Sequence, residues 1–223
     1  MMKLSTLTRF VLNSESKGMK SSTPTVAETK AQEKGTKNVI NFEELHAYAR
    51  TFTCLDNEKI EALHAIQADI APLLPHVTEQ FYAHLLSIPK VQPFLEGRVD
   101  SLKQTHLEWM QELFNSHFNV GYTEKMYHVG HVHVRVKLPV EFMAGAMSIL
   151  QGHLTQTVLK LYSGQPERIP PSLAAINAAI GFSLLVMQES YQASSLAHEL
   201  EKFLSITGMS RKLFDNLARA YRD

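Results

Sequence analysis

The chain has 223 residues, and its 22 lysines and arginines balance its 22 aspartates and glutamates, so its formal net charge is zero. This balance argues against non-specific nucleic-acid binding, and the single cysteine excludes an intrachain disulfide or a cysteine-rich metal site. Apolar residues make up 44% of the chain, which is enough for a full core. No stretch of about 18 residues is uninterruptedly apolar, so no membrane span is expected.

Residues 1–40 differ in composition from the rest and are predicted to form a disordered basic tail. Ser, Thr, Lys and Glu dominate residues 14–38, which leaves too little apolar surface to offset the entropy lost on ordering. The tail carries seven basic and three acidic side chains. We interpret it as a solvated segment, with a weak targeting or membrane-surface segment as the alternative.

From Asn41 onward the apolar periodicity predicts helices, joined by short connections that contain proline or glycine. Asn41 and Asp56 are the predicted N-caps of the first two helices. The predicted helices are 42–50, 57–71, 77–86, 98–118, 122–137, 140–162 and 172–204, with a helical turn at 91–95 and an amphipathic helix after Gly208. This pattern indicates an all-α domain over residues 41–204, followed by a C-terminal segment, 205–223.

Histidine is unusually frequent, with 11 residues, and three of them fall in the predicted helix 122–137. Helical geometry places His128 and His131 on the polar side. It places His133 on an apolar stripe whose members are Met126, Val129, His133, Val136 and Val140. Three ligands from one helix surround a tetrahedral ion poorly and no HExxH motif occurs, so a zinc site is not predicted.

An inward-pointing His133 has two interpretations. It is a core imidazole bonded to a backbone carbonyl, or it is a neutral imidazole whose ring nitrogen binds the iron of a haem. A haem requires one such ligand and a wide apolar slot between helices. An all-α chain of this size can supply both.

The segment VGHVHVRVKLPVEFMAGAM, residues 129–147, resembles the proximal region of the globin-coupled sensor family, whose haem-binding domain is protoglobin-like. The family typically reads Ile-Gly-x-x-His-x-x-Ile-Gly-Leu-Pro, followed by an aromatic pair and small residues. The matching positions here are Gly130, His133, Leu138, Pro139, Gly145 and Ala146. The departures are Lys137, where the family often has glycine, and Phe142-Met143, where a Trp-Tyr pair is common.

The resemblance extends through EQFYAHLLSIPKVQPFL and VDSLKQTHLEWMQELF and covers about residues 42–200. It implies a globin fold of the sensor variant and one haem b, with His133 as the proximal iron ligand. Tyr82 matches the distal tyrosine, whose phenol hydrogen-bonds bound dioxygen; the alternative is an interface tyrosine with its hydroxyl in water. His106 is an alternative second axial ligand of the iron.

The resemblance also suggests the remaining contacts of the haem. Leu102 and Thr105 resemble the family's distal apolar gate and hydroxyl, although Thr105 has the alternative of bonding to the carbonyl four residues earlier. The other expected haem contacts are Phe81, Leu85, Trp109, Val129 and Val136, with Phe94 as a further wall residue.

The family's function implies a cytoplasmic sensor of dioxygen or another diatomic gas. The ligand state would be transmitted through a homodimer helix bundle built from residues 140–162 and 172–204 to an output partner or domain. ITGMSRKLFDNLARA faintly resembles the start of a diguanylate cyclase domain, but the Gly-Gly-Asp-Glu-Phe signature is absent, so no enzyme activity is expected within this chain. The alternatives are a haem enzyme for dioxygen or nitric oxide chemistry and a haem-free regulator with a globin fold.

Overall fold

The computed structural model describes residues 40–220, so almost all of the predicted tail lies outside the described residues. In the described part every regular element is a helix, which confirms the predicted all-α class. The α-helices are α1 (Phe42–Phe52), α2 (Asn57–Ile70), α3 (Leu74–Leu86), α4 (Gln92–Leu95), α5 (Val99–Leu113), α6 (Val120–Arg135), α7 (Val140–Leu161), α8 (Ile169–Thr207) and α9 (Arg211–Ala220).

Side-chain caps fix where several helices begin. The Asn41 side chain accepts a hydrogen bond from the Glu44 amide at 3.2 Å, and that of Asp56 accepts one from the Lys59 amide at 2.9 Å. Both predicted caps are therefore confirmed. Asn119 caps α6 in the same way, and each such cap stabilises its helix by about 1 kcal/mol.

Two helices begin earlier than predicted, because their first turns contain proline residues that the prediction had placed in connections. Pro75 lies in the first turn of α3, and Pro170 and Pro171 lie in the first turn of α8. The amide hydrogen that proline lacks would have no partner there in any case, so proline is well tolerated.

The predicted helix 98–118 is wrong at its C-terminal end, because α5 stops at Leu113. Phe118 adopts a left-handed φ of 46° and is fully buried, while its amide donates to the Ser116 hydroxyl at 3.0 Å. Burial of this aromatic ring holds the chain in a turn that the helical periodicity did not reveal.

Asn41–Tyr191 forms one compact unit, and the described residues from Gln192 onward belong to a second. In the first unit, α3 packs against α5 and α7, α2 against α7, and α1 against α6. Its core contains large apolar side chains, each worth about 1.5–3 kcal/mol of burial. Among them are Leu63, Ile70, Leu74, Met110, Leu113, Phe114, Met126, Leu150 and Phe182.

The C-terminal unit contains the end of α8 and the predicted amphipathic helix, which is confirmed as α9. Gly208 has a φ of 67°, a left-handed conformation that suits glycine and forms the predicted turn. The Arg211 guanidinium lies 3.1 Å from the Glu201 carboxylate, and the rings of Phe203 and Phe214 are 6.0 Å apart.

One helical stretch in the described residues, Pro166–Thr207, is long and apolar enough to cross a membrane by length and composition. Half of the residues in its most apolar 18-residue segment are buried inside the protein. The core helix of a soluble protein meets the same criterion, so this is weak evidence for a span.

Candidate functional site

His133 lies in the last turn of α6, and one of its ring nitrogens is buried without a partner. The Nδ1 atom has no hydrogen bond, so the interpretation of a core imidazole bonded through this atom to a backbone carbonyl does not fit. Burial lowers the pKa of His133 to about 4, so the ring is neutral at pH 7. A neutral imidazole retains an unshared electron pair for a metal ion.

The chain reverses immediately after His133 in a way that fixes the backbone of this residue. The Leu138 amide donates to the His133 carbonyl at 3.0 Å, and the Lys137 amide donates to the Val134 carbonyl at 2.9 Å. This pair of hydrogen bonds is the Schellman motif, which requires a left-handed residue after the helix. Lys137 fills that position with a φ of 57°.

The predicted division of the α6 histidines is largely seen. His128 and His131 are exposed and their rings lie 6.4 Å apart, whereas Met126 on the apolar stripe is fully buried. The stripe differs from expectation at its far end, where Val136 is 41% exposed. Val136 is the C-cap residue that follows Arg135, the last residue of α6, and the next member of the stripe, Val140, begins α7 and is 37% exposed.

A second group of predicted site residues comes together on α3 and α5. The His106 ring stacks on that of Phe81, with centroids 4.5 Å apart and planes 13° from parallel. The Tyr82 ring meets His106 edge-on at 5.8 Å, and the Trp109 ring lies 5.4 Å from the His106 ring. We call these four side chains the aromatic cluster.

Burial controls the protonation of this cluster. Tyr82 is only 5% exposed, unlike a phenol that lies in water, and burial raises its pKa, so the hydroxyl keeps its proton and can donate it. Burial lowers the pKa of His106 to about 4, and its Nδ1 atom also has no hydrogen-bond partner. In the described residues, no hydrogen bond or ring contact joins His133 to the aromatic cluster.

The other predicted site residues lie in varied surroundings. Leu85 is buried, while Leu102 and Val129 are partly buried. Thr105 donates its hydroxyl proton to the Ser101 carbonyl at 3.0 Å, which is the intrahelical alternative considered from sequence. The Phe94 ring meets that of Phe142 edge-on at 5.8 Å.

Two features near the site had not been predicted. Gly130 lies one turn before His133, and a Cβ atom there would come within 2.4 Å of the Met187 carbonyl oxygen on α8. Tyr122 joins the Trp109 indole at 3.3 Å to the Ser183 hydroxyl at 3.0 Å. The glycine inside a helical pattern was a signal, but nothing in the sequence links residues 122 and 183.

The donor set suits a haem better than a free metal ion. Among the described residues there is no group of three or more His, Cys, Asp or Glu side chains that could hold a metal ion. The partnerless Nδ1 atom of the neutral His133 ring, together with an aromatic cluster that contains a second such imidazole, His106, fits the ligand and the apolar walls that a haem requires. Globin-family domains typically bind this group.

Comparisons with known proteins agree with this description. The protoglobin family model matches residues 42–196. The structure is similar to the globin domain of a Geobacter sulfurreducens globin-coupled sensor, at 26% sequence identity and a TM-score of 0.57, covering 65% of this chain and 96% of that one. No curated protein sequence matches the chain. The fold is globin-like, and the chain belongs to the protoglobin family.

Proposed function

We propose that this chain binds one haem b through His133 and senses dioxygen or another diatomic gas. The observation that carries the proposal is the buried, partnerless Nδ1 atom of a neutral imidazole at the family's ligand position. An unpaired buried polar atom costs about 1–3 kcal/mol, and coordination of an iron by this atom would remove that cost. When bound, a haem supplies a ferrous iron that takes up diatomic gases reversibly.

The residues of the chain hold and orient this ligand. The Schellman closure fixes the backbone of His133, and Gly130 lets α6 approach α8 closely one turn earlier. In the aromatic cluster, the protonated Tyr82 phenol would supply a hydrogen-bond donor to a gas bound at the iron. The aromatic rings beside it exclude water and strengthen that bond.

The test is a titration of the full chain with haemin, followed by absorbance. We expect a Soret band that saturates at one haem per chain. The His133→Ala variant should lose or shift this band, whereas His128→Ala, which changes an exposed histidine of the same helix, should not. A chain that stays colourless would contradict the proposal and favour a haem-free regulator.

Tyr82→Phe tests the proposed distal hydrogen bond. A charge-assisted hydrogen bond contributes about 1.5–3 kcal/mol, so its loss should speed dioxygen dissociation about tenfold or more in stopped-flow measurements. Tyr127→Phe, on α6 and in edge contact with Phe42, is the matched control and should leave the rate unchanged. Equal rates in Tyr82→Phe and the wild type would refute the distal role.

His106 is a second candidate ligand, because its neutral ring also has a buried partnerless Nδ1 atom and lies beside Tyr82 in the aromatic cluster. If it binds the iron when gas is absent, the ferrous spectrum is that of a six-coordinate, low-spin haem. His106→Phe would then convert it to a five-coordinate, high-spin spectrum. An unchanged spectrum would assign His106 to the pocket wall.

We further propose that the ligand state is transmitted through a homodimer formed by residues 140–162 and 172–204. Gly145 and Gly152 lie on a face of α7 that is open to a second chain, because no atom lies within 4 Å of where their Cβ atoms would be. Sedimentation of the haem-loaded chain should show a dimer that Gly152→Arg dissociates without moving the Soret band. A wild-type monomer would contradict this part of the proposal.

A further inference from the structure

Three hydrogen bonds, two of them buried and the first part-buried, form a chain whose direction the structure determines. The Ser183 hydroxyl donates to the Ala179 carbonyl at 2.9 Å, so its oxygen accepts from the Tyr122 hydroxyl at 3.0 Å. The Tyr122 oxygen in turn accepts from the Trp109 indole N–H at 3.3 Å, because indole can only donate. Every proton therefore points from α5 through α6 to the backbone of α8.

This chain begins at the half-buried Trp109 of the aromatic cluster, and its later members are shielded from water. Tyr122 is 4% exposed and Ser183 is fully buried. Trp109, at the start, lies against His106, one of the residues that would face a ligand on the distal side. Hydrogen bonds in series polarise one another, and the low dielectric of the interior strengthens each of them.

A second contact ties the same two helices together near His133. Gly130 on α6 lies so close to Met187 and Ser190 that a Cβ atom would be 2.4 Å from the Met187 carbonyl oxygen and from the Ser190 hydroxyl. Ser183, Met187 and Ser190 share one face of α8. The helix with the candidate iron ligand is thus joined to α8 at both Tyr122 and Gly130.

We propose that Tyr122 is a positioning residue that couples the distal wall to α8. Its hydroxyl holds the Trp109 indole against His106, so a displacement of this wall by a bound gas alters the hydrogen bond to Ser183 and the backbone at Ala179. This inference rests on the proposed haem pocket. It adds a route from the distal side of the pocket to the proposed transmission through the dimer helices.

Tryptophan fluorescence tests the first step, because Trp109 is the only tryptophan in the sequence. In the full chain without haem, Tyr122→Phe removes the acceptor of the indole N–H, so the emission maximum should move to shorter wavelength. Tyr162→Phe removes a different buried phenol, one that donates to Asp69, and should leave the emission unchanged. Unchanged emission in Tyr122→Phe would overturn the positioning role.

Hydrogen exchange of the haem-loaded full chain, with and without carbon monoxide, tests the coupling itself. We expect carbon monoxide to change the exchange of amides 179–190, and Tyr122→Phe and Ser183→Ala to reduce that change at least about twofold. Ser172→Ala is the matched control, since Ser172 is also buried on α8 and donates to the carbonyl four residues earlier. Ser183→Ala keeps the test valid if Tyr122→Phe does not fold.

The outcomes separate this inference from the proposed function. A normal Soret band with an undiminished exchange response in Ser183→Ala overturns the coupling and leaves haem binding intact. An equal loss in Ser172→Ala overturns it too, because the effect would then be general weakening of α8. Failure to bind haem overturns both proposals.

Discussion

Lys137 shows how a single residue shapes the end of the helix that carries His133. Lys137 stands where the globin-coupled sensor family often has glycine, and its φ of 57° explains the family's preference for glycine at this position. A left-handed conformation costs a residue with a Cβ atom about 1–2 kcal/mol relative to the ordinary helix. The sequence showed the departure, and the structure shows its conformational cost.

Lys137→Gly should therefore raise the free energy of unfolding by about 0.5–1 kcal/mol, since glycine adopts this φ without strain but loses more entropy on folding. Urea denaturation of the haem-free chain measures the effect. Lys137→Ala removes the same exposed side chain but keeps the Cβ atom, so it should give no such gain. Equal stabilisation by both variants would contradict the explanation.

Two half-buried imidazoles, each with a buried Nδ1 atom, make stability depend on pH. Burial lowers the pKa values of His106 and His133 from the ordinary 6.5 to about 4, so between these values the unfolded chain binds more protons than the folded one. The contribution of the two histidines to the free energy of unfolding is fully present above pH 6.5 and is lost as the pH falls toward 4. The loss is at most about 1.4 kcal/mol per pH unit for each histidine.

Urea midpoints of the haem-free chain between pH 7 and pH 4.5 test this pH dependence. His106→Phe preserves the stacking on Phe81 and should reduce the slope. His198→Gln, at an exposed position, should not change it. A wild-type slope in His106→Phe would show that this ring is not buried in its neutral form.

At the scale of the helix, Gly130 sets the distance between α6 and α8. Because the backbone of Met187 would lie 2.4 Å from a Cβ atom, Gly130→Ala forces the two helices apart. Such overpacking costs about 1–3 kcal/mol, which thermal or urea denaturation would reveal. Gly164→Ala changes an exposed glycine with no atom within 4 Å of its Cβ position and should stay within about 0.5 kcal/mol of the wild type. A Gly130→Ala variant that is as stable as the wild type would contradict the close contact.

Local chemistry explains which helix boundaries were predictable. The caps at Asn41 and Asp56 use a side chain and an amide three residues apart, so the sequence alone reveals them. The end of α5 depends on the burial of Phe118 against Phe182, whose ring lies 5.8 Å away although the two residues are 64 positions apart. Periodicity over one helix carries no information about such a distant partner.

At the scale of the whole molecule, the all-α class and the family were predictable because three characteristic segments occur in the family's order. The assembly of Phe81, Tyr82, His106 and Trp109 also follows from helical spacing once α3 and α5 pack together. The bond between Tyr122 and Ser183 was not predictable, because it depends on how two distant helices meet.

The central claim is that the imidazole of His133 holds the iron, and chemical rescue tests it most directly. His133→Gly, expressed with a haem precursor, leaves a space into which free imidazole can enter. We predict that the Soret band of this variant is weak or shifted and that added imidazole restores it to the wild-type wavelength. A wild-type Soret band in His133→Gly without imidazole would contradict the account, because the iron would then be held by another residue.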